Sequence, residues 1–260
     1  MRVRDFPLLV FVLSFVVLWM SAQIGSFFHK KLRPVQEDEW KDLDTTSAAS
    51  LALLGLIVAF SFSAAIDRYN QRKRCEAEEA NAIGTEYVRV DLLPAAESTR
   101  LRELLRNYLD QRVLFYETGS AIFYEAGNER RLRQIDADTS RLETELWSAI
   151  RVAAAAQPTP ITALTVAGMN DVLNARGYSQ AAWWNRVPSA AWSLMAAIAI
   201  FCNLLLGYDS RRQHIVQFMI LPLALSISFL LIADIDSPRG GLIHVLPQNL
   251  LSLSQSLHAP

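Results

Sequence analysis

Residues 48–74 read AASLALLGLIVAFSFSAAIDRYNQRKR and join a long apolar run directly to a charged one. The apolar part, 48–66, contains no charge and would form a helix about 28 Å long, close to the ~30 Å hydrocarbon core of a bilayer. No Gly or Pro lies near the junction between the two runs, at Ile66 and Asp67. We therefore predict one continuous helix from Ala48 to about Leu93, ending at Pro94, that couples a membrane span rigidly to a polar segment. A plain helix extension without further function is the alternative.

Three further apolar blocks have the length of a membrane span. They cover residues 7–28, 187–208 and 213–233, and none of them contains Asp, Glu, Lys or Arg. Buried helices of a large soluble core rarely run this long without a charged face, so we predict an all-α integral membrane protein with four transmembrane helices. The first block could instead be a cleaved signal peptide, because Arg2 and Arg4 precede it and Ser21 and Ala22 are small. Its apolar stretch is longer than such peptides usually have.

The composition excludes several classes of protein. The 260 residues include 25 Lys and Arg and 26 Asp and Glu, which gives a net charge of −1, and 52% of them are hydrophobic. A disordered or collagen-like chain would have a different composition, and a protein that binds nucleic acid usually has a basic excess. Cys75 lies in a polar segment and Cys202 in a span, so the two cysteines are not placed to pair, and nothing indicates an oxidising compartment.

The sequence contains no recognisable catalytic motif. Its four histidines form no HExxH or His-x-x-His pair, and there is no GxSxG, GxGxxG or Walker motif. The spans also contain none of the charged residues that mark pumps and proton relays. We predict that the protein is not an enzyme and uses no cofactor or metal.

Basic residues near the ends of the spans predict the orientation. With four spans the termini and the middle segment share one side, and that side has nine Lys and Arg near the spans against six on the other. We therefore place both termini in the cytoplasm. The predicted organisation is 1–66 with the first two spans, 67–186 as a cytoplasmic helical domain, 187–234 with the last two spans, and 235–260 as a cytoplasmic tail.

The middle segment shows helical periodicity. Its first apolar stripe follows Ser98, the predicted N-cap. The members of this stripe are Leu101, Leu104, Leu105, Tyr108, Leu109 and Val113. A second stripe from Leu132 to Leu146 is followed by prolines at 158 and 160, and a third helix is predicted over 161–173, ending before Gly177.

One face of the second span could line a pore. Leu53, Ile57, Phe60 and Ala64 recur at helical spacing, and several copies of this helix around an axis would form an apolar constriction at Ile57 and Phe60 that gates by dewetting. Helix packing is the alternative, since small residues such as Gly55 permit close helix contact. Four spans without intramembrane charge hardly enclose a pore, so any channel must be an oligomer.

Polar clusters follow the second and the fourth span. Arg68, Arg72 and Lys73 either anchor the helix on the cytoplasmic side or form an electropositive vestibule that concentrates anions. Asp234 and Asp236 could give oxygen ligands to Ca²⁺, but no complete set of six is evident, and we favour helix capping and salt bridges. The other members of this predicted structural cluster at the membrane interface are Asp67, Tyr69 and Arg239.

Several of these segments resemble the bestrophin-like bacterial membrane proteins. The resemblance covers most of residues 47–253. The motifs that carry it are Phe60-Ser-Phe-Ser-Ala-Ala-Ile-Asp-Arg-Tyr, Asn81-Ala-Ile-Gly, Leu92-Leu-Pro, Arg186-Val-Pro-Ser and Asp234-Ile-Asp-Ser-Pro-Arg-Gly-Gly.

Bestrophins are pentameric anion channels with a pore along the second span, and their Asp-Arg-aromatic sequence at the cytoplasmic end of that span is similar to Asp67-Arg68-Tyr69. The resemblance implies four spans, a cytoplasmic helical domain and a homo-oligomer, such as a pentamer, in the bacterial inner membrane. The chain lacks the dense acidic calcium-binding run that bestrophins carry after the last span, so we do not expect calcium gating.

Two functions are consistent with these features. The first is a homo-oligomeric channel for anions such as chloride, with the second span as its pore. The second is a non-conducting scaffold or signalling adaptor in the lipid bilayer, whose residues 67–186 bind a protein partner. The oligomeric state separates them, because a stable monomer would leave the channel without a pathway.

Overall fold

The computed structural model describes residues 6–31, 37–118, 126–208 and 215–258. Within these ranges the regular structure is helical. The helices are α1 (Pro7–Lys31), α2 (Glu37–Arg89), α3 (Ala95–Glu117), α4 (Ala126–Ala156), α5 (Pro160–Trp184), α6 (Ser189–Tyr208), α7 (Ile215–Asp236) and α8 (Gln248–His258), with a 3₁₀ turn at Val90–Leu92. The predicted all-α fold is confirmed. Five basic residues used in the topology prediction lie outside the described residues: Arg2, Arg4, Arg33, Arg211 and Arg212.

Four helical segments are long and apolar enough to cross a membrane. They lie within Pro7–His29, Asp42–Leu92, Pro160–Tyr208 and Phe218–Asp236. Each overlaps one of the predicted spans, so the prediction of four membrane-spanning helices is confirmed.

The helix α2 continues from the apolar run into the charged one, as the absence of Gly and Pro predicted. It begins at Glu37, earlier than the predicted Ala48, and its α-helical part ends at Arg89. The 3₁₀ turn at Val90–Leu92 then leads to Leu93, which is extended and whose N–H bonds the carbonyl of Val90 at 3.1 Å. Pro94 stops the helix because it disfavours helical geometry in the residue before it.

The chain divides into two compact units, and the first consists of residues 1–67 and 186–243. In this unit α1 packs against both α6 and α7. A Cβ at Gly25 would lie 2.1 Å from the carbonyl oxygen of Leu204, and a Cβ at Gly207 would lie 2.0 Å from that of Ala22. The two glycines therefore allow backbone contact between α1 and α6, the kind of close packing that holds helices together in lipid.

The second unit consists of residues 68–185 and 244–260. Its core is built from apolar faces of α2, α3, α4, α5 and α8. The predicted stripe on α3 supplies much of it, and its fully buried members are Leu101, Leu105, Tyr108 and Leu109. Leu146 and Ile150 of α4, Met169 and Val172 of α5, and Leu250 of α8 complete the centre of this core.

Two local predictions in this unit are wrong. Ser98 is not an N-cap: α3 begins at Ala95 after Pro94, and the Ser98 hydroxyl bonds the Asp91 carboxylate at 3.2 Å. The third helix does not end before Gly177 but continues to Trp184. A glycine inside a helix costs about 1 kcal/mol, and contacts on both sides of Gly177 offset this cost. Arg176 binds Glu143 and Asp136 of α4, and Ser179 binds Glu79.

Candidate functional site

The apolar part of α2 presents different faces to its surroundings. Leu54, Ser61 and Ala65 are buried within the first unit, with exposed fractions of 1%, 6% and 0%. The predicted pore stripe behaves differently: Leu53 is 49% and Phe60 is 67% exposed, and Ile57 and Ala64 are half-buried. At about 100° per residue the two stripes lie roughly a quarter turn apart. Within the predicted stripe, Leu53 and Phe60 are therefore largely uncovered, whereas Ile57 and Ala64 are partly covered.

The small residues of α2 form a third face. Ala48, Ala52, Gly55 and Ala59 are all exposed, and a Cβ at Gly55 would meet nothing within 4 Å. This small-residue face lies on the side of the helix away from the pore stripe, more than a third of a turn from it. Close helix contact was the alternative to a pore for this span. Within the described part of the chain, these small residues make no such contact.

The predicted cations after the span differ in exposure. Lys73 is exposed and Arg68 is half-buried, whereas Arg72 is only 2% exposed and is among the largest fully buried side chains of the chain. Asp67 is exposed, and Tyr69 packs against the core of the second unit. Of the three predicted vestibule residues, Lys73 is the one whose charge faces solvent most directly.

After its apolar part, α2 carries charged residues on a buried face. The side chains of Arg72, Glu76, Glu79 and Glu86 recur at helical spacing and have exposed fractions of 2%, 1%, 0% and 0%. Burying a charge is costly unless it is paired or hydrogen-bonded. Each of the three carboxyl groups has a distinct environment.

Glu79 is the centre of a polar network inside the core of the second unit. Its carboxylate forms an ion pair with the Arg112 guanidinium of α3, accepts a bond from the Ser179 hydroxyl of α5 at 2.9 Å, and accepts one from the Tyr116 hydroxyl at 3.2 Å. Burial would lower the pKa of Arg112, but the neighbouring Glu79 carboxylate raises it, so the guanidinium stays charged. Burial, with Glu79 beside it, raises the pKa of the Tyr116 phenol. The network therefore joins three helices through one buried charge pair.

Glu76 binds the start of α8. Its carboxylate accepts bonds from the backbone N–H groups of Asn249 at 2.9 Å and Leu250 at 3.0 Å, and from the Asn249 side-chain amide at 2.6 Å. A carboxylate at a helix N-terminus satisfies donors that the helix itself leaves unpaired. Glu76 thus fixes the C-terminal helix to α2.

The Asp-x-Asp sequence after the fourth span organises backbone. Asp234 accepts bonds from the N–H groups of Leu242 at 2.7 Å and Ile243 at 2.9 Å, and Asp236 accepts one from Val187 at 2.8 Å. Both carboxyl groups are buried. Arg239 lies half-buried in the same loop. The bonds of Asp234 and Asp236 are to backbone N–H groups, and the structural cluster with Asp67, Tyr69 and Arg239 stays a prediction.

No metal centre accompanies these residues in the part of the chain that the structure describes. No group of three or more His, Cys, Asp and Glu side chains is placed there to hold an ion. Asp234 and Asp236 bind separate backbone segments, at Leu242 and at Val187.

Sequence reasoning did not assign roles to Glu76, Glu79 and Glu86. A signal was present, because these residues share a helical face with the buried Ile83 and Val90. Acidic side chains at the core positions of an amphipathic helix predict either paired charges or neutral carboxyls. Their partners lie on other helices and could not be read from that spacing.

Comparison with known proteins gives a family and a fold. The sequence model of a family described as Bestrophin-like domain matches residues 8–250. A structure of a bacterial bestrophin homologue from Klebsiella pneumoniae is similar, with a TM-score of 0.60 and 15% identity over 96% of each chain. A single-residue variant of a bacterial bestrophin homologue from that organism has a TM-score of 0.60 and 14% identity, over 96% of this chain and 97% of that one. A further structure, described only as a membrane protein variant, has a TM-score of 0.61 and 13% identity, over 98% and 97%. No curated protein matches the chain.

Proposed function

The chain belongs to the Bestrophin-like family, and on that premise we propose that this multi-pass membrane protein is an oligomeric anion channel whose pore runs along the apolar part of α2. The observation that carries the proposal is the exposed stripe on this helix. Leu53 and Phe60 are large apolar side chains that the rest of their own unit leaves 49% and 67% exposed. In an oligomer with α2 around the axis, this stripe would face the pore.

The chemistry of the stripe suits a hydrophobic gate. Ile57 and Phe60 lie one turn apart, and rings of such side chains from several subunits would form a narrow, water-repelling constriction. Such a constriction conducts when it is wide enough to hold water and closes by dewetting. The small-residue face of the same helix suits contact with a neighbouring subunit, since small side chains let helices approach closely in lipid.

The charges near the end of the span suit anions. Lys73 is exposed and Arg68 is half-buried, and a cluster of cations at a pore mouth raises the local concentration of anions. The buried Arg72 acts mainly as part of the protein interior. We place this mouth, both termini and the middle segment in the cytoplasm. The packing of the C-terminal helix in the same unit as the middle segment supports a shared side.

The first experiment measures the mass of the complex in mild detergent and then chloride flux in liposomes. We expect a ring-sized homo-oligomer, such as a pentamer, with a selective anion leak that increases in Ile57→Ala and Phe60→Ala. Phe201→Ala is the matched control, because Phe201 is a 50% exposed phenylalanine of another span, and it should leave the flux unchanged. A monomer, or an oligomer without selective flux in any of these variants, would contradict the proposal.

The second candidate is a non-conducting scaffold or adaptor. Exposed apolar side chains of the second unit favour it, because Val88 is 67%, Tyr178 66% and Trp184 73% exposed, and such side chains are common at protein interfaces. A stable monomer without flux that binds a protein through residues 67–186 would support this function in place of the channel.

A further inference from the structure

Glu86 differs from the other two carboxyl groups on the buried face of α2. It is fully buried, and neither of its carboxyl oxygens accepts a hydrogen bond from any residue that the structure describes. Glu79 and Glu76, by contrast, each accept three or more bonds. An ionised carboxylate without donors is very costly inside a protein, whereas a neutral carboxyl is far less so.

Gly168 of α5 provides the space for this carboxyl. A Cβ at position 168 would lie 1.9 Å from Oε2 of Glu86 and 2.5 Å from Nη1 of Arg89. The carboxyl therefore rests directly on the backbone of α5, at the contact between that helix and α2. No side chain of α5 comes between them at this position, because residue 168 is a glycine.

The charges nearest to Glu86 oppose each other. Burial raises the pKa of Glu86 to about 8, the Arg89 guanidinium one turn along α2 lowers it, and the exposed Asp171 of α5 raises it. Burial is the largest of these effects, so the carboxyl holds its proton at neutral pH.

The neighbouring cations of α3 are engaged elsewhere. Arg102 forms an ion pair with Asp91 of the 3₁₀ turn, and its guanidinium lies 5.0 Å from the centre of the Tyr87 ring. The guanidinium of Arg106 lies 5.5 Å from the same ring. The charges that shift the pKa of Glu86 are those of Arg89 and Asp171, not those of these two arginines.

We propose that Glu86 is a proton switch between α2 and α5: the neutral carboxyl completes their contact at Gly168, and ionisation of the carboxyl weakens it. This proton switch is independent of the proposed channel function, because it concerns packing within the second unit. Neutral Glu86 needs no counter-charge against the α5 backbone. Ionised Glu86 would need water, or a closer approach of the Arg89 guanidinium, whose Nη1 borders the same Gly168 position but makes no hydrogen bond to the carboxyl.

The consequence for stability has a definite sign. The unfolded chain releases the Glu86 proton near pH 4.5, whereas the folded protein holds it to about pH 8. Stability therefore falls as the pH rises between these values, by at most about tenfold in the unfolding equilibrium per pH unit from this group, and the loss levels off above pH 8.

The test is thermal unfolding of the full-length protein in detergent, at a fixed heating rate, from pH 5 to pH 9.5. Glu86→Gln keeps the shape of the neutral carboxyl and removes the titration. We expect its apparent Tm to approach that of the wild type at pH 5, to exceed it increasingly up to pH 8, and to stay above it thereafter. Glu78→Gln is the matched control, because Glu78 is an exposed residue of the same helix, and it should follow the wild type.

A second variant tests the switch if Glu86→Gln does not fold. Asp171→Asn removes the exposed negative charge that favours protonated Glu86, so the Tm loss should end at a lower pH than in the wild type. The proposal is overturned if Glu86→Gln follows the wild type at every pH, or if Asp171→Asn leaves the curve where it was. Chloride flux plays no part in this measurement, so failure of the switch and failure of the channel are distinguishable.

Discussion

The carboxylate of Glu76 binds Asn249 twice, at the backbone N–H (2.9 Å) and at the side-chain amide (2.6 Å). The two residues are 173 positions apart in the chain, so the contact closes the second unit around its last helix. Glu76 is buried, whereas Asn249 lies at the surface. The start of α8 thus depends on one carboxylate of α2.

Glu76→Ala should release α8. The variant leaves the N–H groups of Asn249 and Leu250 without their acceptor, and each such loss costs about 1–3 kcal/mol. We expect a lower Tm and faster chymotrypsin cleavage within residues 244–258. Intact-mass measurement of the digest monitors this cleavage. Glu78→Ala, an exposed change on the same helix, should alter neither. Unchanged digestion of Glu76→Ala would show that α8 is held by its apolar face alone.

Removing one partner of the Glu79–Arg112 pair should cost more than removing both. Glu79→Gln leaves the Arg112 charge buried without a counter-charge, and breaking a buried pair in this way costs about 3–5 kcal/mol. The double variant Glu79→Leu with Arg112→Met replaces the pair by apolar groups of similar size, and we expect it to be more stable than Glu79→Gln. Denaturant unfolding of the wild type, Glu79→Gln and the double variant measures their order of stability. A double variant that is less stable than the single one would contradict this account.

Calcium should not affect the protein. The carboxylates of Asp234 and Asp236 already accept backbone N–H groups of Leu242, Ile243 and Val187. We expect the same Tm in EDTA and in millimolar Ca²⁺. Asp234→Asn should lower the Tm in both conditions, since it turns an amide donor towards one of these N–H groups, whereas the exposed Asp44→Asn should not. A rise in Tm with Ca²⁺ that Asp234→Asn abolishes would indicate a calcium site.

The sequence predicted those features that a single segment determines. The four spans follow from uninterrupted apolar runs, and the continuity of α2 past Ile66 follows from the absence of Gly and Pro near that residue. The Glu79 network could not be predicted, because Arg112 and Ser179 lie 33 and 100 residues away and only tertiary packing brings them together. The extension of α5 past Gly177 has the same cause, since its neighbours Arg176 and Ser179 bind other helices.

Gly25→Ala and Gly207→Ala should each destabilise the first unit. In both variants the new methyl group would meet a backbone carbonyl of the facing helix at about 2 Å, the distance that the structure gives for a Cβ there. Backbone cannot move aside as a side chain does, so α1 and α6 must separate, at a cost of about 1–3 kcal/mol. Gly177→Ala is the control, because its Cβ would meet nothing within 4 Å, and it should raise the Tm slightly. Equal Tm values for all three variants would argue against tight α1–α6 packing.

Lys73→Glu tests the vestibule of the proposed channel. Lys73 is the exposed member of the three cations after the span, so its replacement changes the charge at the pore mouth without emptying a buried site, as changes at Arg72 would. A cleft lined by charge of one sign raises the local concentration of the opposite ion tenfold or more. We expect the permeability ratio of chloride over sodium, taken from reversal potentials in a planar bilayer, to fall by up to about tenfold.

Arg151→Glu makes the same change in charge at an exposed position on α4, and it should leave the ratio unchanged. If both variants lower the ratio equally, selectivity depends on the net charge of the protein. If neither lowers it, the selectivity of the pore is set elsewhere, and the assignment of a vestibule to the end of this span would be wrong.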